Sequence, residues 1–228
     1  MDLQKLKNQV ILGELEIPDD YGRIFSFIDF SNVNRWFEND NQDWNNKLIA
    51  DDEKIDIDLE KLKSFVDVFN GKARIYYGED FRNPESKKFT YVIRKIFGKR
   101  KVVTKDLQRI KHYIDVDKAD NVKYIVKDKN GRYYTEIRKC NFDVEISVDA
   151  IKMIRHYDTF CIFSGDADFT YLNNFLRSRG KKIIIIKGGF ITTKLRKSSD
   201  IVVNAQKIKK HIVRITKDKN LSKSGLCG

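Results

Sequence analysis

The amino-acid sequence predicts an α/β fold with a mainly parallel central sheet and helices on both of its faces. Three observations lead there. Short runs of strand-forming apolar residues recur along the chain, segments of helical period lie between them, and two of the runs break off into small polar residues and aspartates. Parallel neighbours need crossover connections, and these are right-handed, so an alternation of strand and helix covers both sides of the sheet. In such sheets the functional crevice lies beyond the carboxyl ends of the strands.

Residues 1–22 read as an amphipathic lead-in that ends at Pro18 and the turn-forming Asp19, Asp20 and Gly22. The first strand is RIFSFIDF, residues 23–30. The segment from Ser31 to about Lys47 carries Trp36, Phe37 and Trp44 and reads as a helix or an ordered loop. Residues 58–69 repeat Leu59, Leu62, Phe65, Val66 and Phe69 at helical spacing and feed a second strand, ARIYYG, at 73–78. After the break at Asn83 and Pro84, residues 87–99 suit a helix, and KVVTKDL, residues 101–107, suits an edge strand. Residues 112–139 alternate charges with β-formers around Asn130 and Gly131, a hairpin signal, and are expected to project as an inserted β-ribbon. A helix over 143–157, a strand TFCIFSG at 159–165, a helix over 168–180, the strand KKIIIIK at 181–187 and a short strand near 200–204 complete a domain spanning 23–206. Residues 207–228 read as a lysine-rich tail with a frayed end.

The chain has 228 residues, of which 41% are hydrophobic and 12% aromatic, enough for a well-buried core. Lys plus Arg total 45 against 33 Asp plus Glu, a formal charge of +12. That surplus favours a polyanionic partner, although a solvated surface with a basic bias accounts for the charge equally well. Cys140, Cys161 and Cys227 show no CxxC spacing, which points to a reducing compartment and a cytoplasmic location. The longest aliphatic run, IIII at 183–186, is far too short to cross a bilayer, and the N-terminus lacks a signal-peptide pattern, so no membrane partner is expected.

Asp29 ends the first strand, and Asp166 with Asp168 follows the fourth. If those strands are neighbours, three carboxylates converge in one crevice. Unpaired like charges at a few ångströms raise one another's pKa, and a divalent cation relieves the conflict. Oxygen-only ligands suit Mg2+ or Mn2+ rather than zinc. Each acid also fits a structural role: Asp29 as a turn former, Asp166 and Asp168 as helix caps.

An apolar strand ending in Ile28-Asp29 with Asn32, a helix carrying Asp143, Val144 and Asp149, and Ser164-Gly165-Asp166 with Asp168 and Phe169 ahead of Gly180, Lys181 and the aliphatic strand resemble the NYN (LabA-like) group of PIN-like metal-dependent ribonucleases. The resemblance covers about residues 23–205, and SGDADF is its most specific part. It implies a PIN-like three-layer α/β fold, Mg2+ or Mn2+ as cofactor, and endonucleolytic cleavage of single-stranded or flexible RNA, with DNA an open alternative substrate. It implies further that Asp29, Asp143, Asp166 and Asp168 form the metal pocket and that Asn32 orients a carboxylate or a water. Lys139, Cys140, Asn141, Phe142 and Asp143 form a lead one residue longer than the family's Lys-Gly-x-Asp.

Asp149 lies six residues beyond Asp143, about 240° around a helix, so the two cannot point equally into one crevice. An ion pair is the structural expectation for Asp149, with Lys152 in reach on the same face. Ser31 and Ser164 are candidate phosphate or water ligands and equally candidate local caps. Arg94, Lys95 and Arg100 at one edge, and Lys194, Arg196 and Lys197 after the fifth strand, are the expected phosphate contacts. Tyr76, Tyr77, Tyr133 and Tyr134 could stack on bases, although strand aromatics more commonly pack in the core. Two other classes compete: a non-catalytic RNA-binding scaffold that keeps the fold, and a phosphatase. FIDFSNV has no second aspartate two residues after Asp29, which counts against the latter.

Overall fold

The computed structural model describes residues 3–69, 72–114 and 125–217. Its centre is a six-stranded sheet in which every neighbouring pair is parallel. The strands are β1 (Ile24–Asp29), β3 (Ala73–Glu79), β4 (Val102–Asp106), β8 (Thr159–Phe163), β9 (Lys182–Lys187) and β10 (Ile201–Asn204), in the order β10-β9-β8-β1-β3-β4. The chain builds β3 and β4 on one side of β1, then returns to place β8 on the other. The switch point therefore falls between β1 and β8, whose ends carry Asp29 and the Ser164-Gly165-Asp166 loop.

The strands read as apolar runs because both faces are covered. One face packs Ile28, Ile75, Phe163 and Ile184 under α3 (Leu59–Asp67), α4 (Pro84–Phe97) and α8 (Ala205–Ile212). The other packs Phe27, Tyr76, Ile162 and Ile185 under α5 (Asp143–Lys152), α6 (Thr170–Ser178) and α7 (Thr193–Lys197). Ile183 to Ile186 are all fully buried, each contributing about 1.5–3 kcal/mol of apolar transfer. Polar residues start the helices. Asp58 accepts from the Glu60 and Lys61 N–H groups at 3.0 Å each to begin α3. Asn83 caps α4, with Pro84 in the first turn where its missing N–H costs nothing.

Several expected segments differ. The helix anticipated from residue 87 starts at Pro84, because Asn83 supplies the cap one turn earlier. After β1 the chain makes only a one-turn helix, α2 (Phe30–Val33), followed by turns on which Phe37 is buried. The lead-in is α1 (Leu3–Glu14), and beyond it Leu15, Ile17 and Tyr21 enter the core. The lysine-rich segment after 207 is not a free tail up to residue 217. Ile208 and Ile212 of α8 are buried, and β11 (Val213–Lys217) pairs antiparallel with β2 (Glu53–Ile57). Lys209 itself is buried, its ammonium held by Asp40 at 2.7 Å. The lysines there alternate with Ile208, Ile212, Val213 and Ile215, a pattern that their charge conceals.

The inserted ribbon is present but begins at Gln108 rather than at 112: β5 (Gln108–Tyr113) pairs antiparallel with β7 (Tyr133–Lys139), which also pairs with β6 (Val126–Lys127). Gly131, at φ +79°, closes the β6–β7 turn as the Asn-Gly signal required. Residues 115–124 of the expected ribbon lie outside the described residues.

Candidate metal centre

Asp29 sits at the carboxyl end of β1, level with Tyr76 and on the sheet face that also buries Phe27. It is 8% exposed. Ser31 donates to its Oδ1 at 2.6 Å and the Asn32 N–H approaches the same oxygen at 3.4 Å, so a one-turn helix fixes the plane of the carboxylate. Asp143 opens α5, where Asn141 Oδ1 accepts its N–H at 2.7 Å. Asp166 caps the short 3-10 turn of residues 167–169 through a 3.0 Å bond from the Asp168 N–H. That turn packs against both α5 and α7. One carboxylate oxygen from each of Asp143, Asp166 and Asp168 lies within 4.8 Å of the others.

Burial, first, and then the field of Asp166 push the Asp29 carboxyl above its usual range, against the pull of Ser31 and the turn N–H groups. Asp143 is raised for the same leading reason, with Asp166, Asp168 and Asp29 adding repulsion. Asp29 thus feels Asp166 and adds to the repulsion at Asp143, while standing outside the 4.8 Å cluster of Asp143, Asp166 and Asp168. The lysines beside them are engaged elsewhere: Lys105 donates to Glu145 at 2.7 Å, and the buried Lys187, packed beside Gly165, donates to the Gly189 carbonyl. An oxygen-only, mutually repelling donor set fits a hard divalent cation such as Mg2+ or Mn2+.

The other expected residues divide. The Asn32 side-chain oxygen accepts from Trp36 Nε1 at 2.9 Å, so it anchors the ring that stacks over Phe163. Ser164 is buried and its Oγ accepts from the Asp166 N–H at 3.3 Å, a loop-holding role. Lys194, Arg196 and Lys197 are exposed on α7, beside the turn that bears Asp168. Arg94, Lys95 and Arg100 lie at the β4 edge, separated from β1 by β3, and Arg94 donates to Thr104 at 3.0 Å. Tyr76 is fully buried and Tyr77 bonds Ser86 at 2.9 Å, so neither is a base platform. Asp149 belongs to an ion pair, but its partner is Arg74 on β3 rather than a neighbour on its own helix. That choice was not readable from helical spacing.

Lys105 was not singled out by its spacing. With Gln108, Ile110, Lys139 and Asn141 it walls a cleft of about 460 Å³ that reaches Asp143. Its position at the end of β4, the edge strand of a parallel sheet, was the available signal.

A model of the NYN domain matches residues 23–206. The chain is 30% identical over 86 residues to low amplitude and bright protein LabA of Synechococcus elongatus, a match covering 37% of this chain and 45% of that protein. The match thus spans less than half the length of that relative. A crystal structure of a protein of unknown function from Vibrio parahaemolyticus superimposes with a TM-score of 0.52 at 18% identity, over 86% of this chain and 99% of that one. The latter likeness is one of fold. Among the described residues no helix is long and apolar enough to cross a membrane.

Proposed function

Since the chain belongs to the NYN domain family, we propose that it is a metal-dependent endoribonuclease hydrolysing phosphodiester bonds of single-stranded or flexible RNA. The observation that carries this reading is the meeting of Asp143, Asp166 and Asp168 within 4.8 Å, with the buried Asp29 in their field. These four would hold Mg2+ or Mn2+, which when bound lowers the pKa of a water and offsets charge on the phosphate. The protein's own groups orient and bind. Ser31 and Asn32 hold the Asp29 carboxylate, Ser164 holds the loop of Asp166, and Lys194, Arg196 and Lys197 supply cations for flanking phosphates. Arg94, Lys95 and Arg100 lie apart from those cations, at the β4 edge of the sheet, and would meet only a substrate long enough to reach it. The unpaired thiols of Cys140 and Cys161 suit the cytoplasm.

The test is cleavage of an end-labelled single-stranded RNA with added Mn2+, beside a DNA of the same sequence. Internal cleavage of RNA by the wild type, abolished in Asp166→Asn, is the expected result. Tight RNA binding with no turnover under any divalent cation would overturn the enzyme in favour of a binding scaffold.

A further inference from the structure

The two faces of the ribbon differ in what they do. On one face Arg109 is committed: it donates to Asp80, at the end of β3, at 2.6 Å and to Glu136 at 2.6 Å. The same face stacks Lys111 over Tyr134 and Arg132 over Tyr113, at 4.5 and 4.4 Å from the ring centroids. Arg109 thus ties this face of the ribbon down at the mouth of the sheet.

The committed face also exposes Tyr113 and Val126, but only the opposite face lines the cleft beside Asp143. The register sets Gln108 across from Lys139, Ile110 from Ile137 and Lys127 from Tyr133, all on one side. Ile110 and Ile137, directly opposed, are 45% and 46% exposed, an apolar pair with no cover among the described residues. Gln108, Ile110 and Lys139 of this face are the wall of the cleft whose far side is Asp143. Lys105 and Lys139 stand at the cleft end of the strip, and Lys127 lies 5.2 Å over the Tyr133 ring at the other. From Lys139 to Tyr133 the strip runs about 20 Å at about 3.3 Å per residue.

We propose that this face of the ribbon, from Lys139 through Ile110 and Ile137 to Tyr133 and Lys127, is the track on which a single-stranded RNA lies as it enters the acidic cluster. The inference rests on the nuclease reading for the direction of travel, and on the ribbon alone for the binding. The match is one of chemistry. Unpaired bases offer apolar planes to Ile110, Ile137 and Tyr133, and phosphates offer charge to Lys139 at one end and Lys127 at the other, Lys105 being held by Glu145. A duplex buries its base planes and would leave the isoleucines uncovered. A protein partner needs no lysines at the two ends of an apolar pair.

The experiment measures fluorescence anisotropy of a labelled single-stranded RNA on the full chain in EDTA, so that binding is read without turnover. Ile137→Glu is expected to weaken binding about tenfold or more, since it sets a carboxylate among the base planes. Lys127→Gln and Lys139→Gln are expected to lower the slope of log affinity against log salt, by about 0.7 for each phosphate that is no longer neutralised. Lys111→Gln, on the committed face, is expected to leave affinity within about twofold of wild type. Equal affinity in Ile137→Glu and wild type, or an equal weakening in Lys111→Gln, overturns the proposal, as does duplex RNA binding as tightly as single-stranded RNA. Because binding is read without metal, RNA held by this face in EDTA but never cut once Mn2+ is supplied would sink the nuclease reading and leave the track standing. Cleavage of RNA indifferent to Ile137→Glu would do the reverse.

Discussion

Arg74 on β3 donates through Nη1 to Asp149 on α5 at 2.5 Å, and the buried Tyr76 hydroxyl donates to the same carboxylate oxygen at 2.9 Å. The interaction pins α5 to the sheet and so sets the height at which Asp143, six residues earlier, meets the other acids. Asp149→Ala is expected to lower stability by about 1–3 kcal/mol, because it leaves a buried hydroxyl and a half-covered guanidinium without their acceptor. Asp149→Asn should lose less, keeping an oxygen for Tyr76. Urea unfolding measures both. Mn2+ binding in Asp149→Asn should stay near wild type, which separates this aspartate from the cluster.

Asp166→Asn should behave in the opposite way. Asparagine keeps the cap on the Asp168 N–H, and the substitution removes one charge from a set that repels itself. In EDTA the variant should melt at or above the wild-type temperature, the usual sign that a functional site is held against stability. The rise in melting temperature that Mn2+ gives the wild type should largely disappear. Differential scanning calorimetry with and without Mn2+ reads both quantities.

Gly188 lets the loop after β9 pass over Trp36: a Cβ there would lie 2.5 Å from Trp36 Cδ1. Trp36 bonds Asn32, whose N–H approaches Asp29. Gly188→Ala should therefore cost about 1–3 kcal/mol by overpacking and shift the Trp36 emission. It should also weaken Mn2+ binding although it changes no carboxylate. Unchanged Mn2+ affinity would cut the link from Trp36 to Asp29.

The starts of β1 and β8 are joined by Arg23 and Asp158. The guanidinium, then the backbone N–H of Arg23, hold the Asp158 carboxyl well below the usual carboxylate range. A folded pKa below the unfolded one stabilises the fold above the unfolded value, about 3.9, and that contribution drains away as pH falls through the folded value. Arg23→Gln should accordingly lower stability modestly at every pH above the unfolded value, since the pair is exposed, and its difference from wild type should shrink as pH falls through the folded pKa, a trend that urea unfolding at a series of pH values reads. Gly22, at φ +59° with its would-be Cβ 2.8 Å from Asp158 Oδ2, makes the approach possible. Gly22→Ala should cost about 1–3 kcal/mol at all pH values.

The strands, the helices of clear period and the placing of acids at strand ends are legible in residue order alone, because buried parallel strands must be apolar on both faces and their polar breaks are therefore conspicuous. Asp29 and the Ser164-Gly165-Asp166 loop were legible for that reason. So was the Asn-Gly turn of the ribbon, since a positive φ restricts residue choice locally. The strand order that brings β1 beside β8 was decided only in three dimensions. So were the pairing of Asp149 with Arg74, 75 residues away, the cleft between Lys105 and Asp143, and the antiparallel pairing of β2 with β11. Local period records which side of a segment is buried, not which distant segment buries it. Partners far apart in the chain are selected by the packing of the whole core, and lysines such as Lys209 read as tail until that packing supplies an Asp40 to receive them.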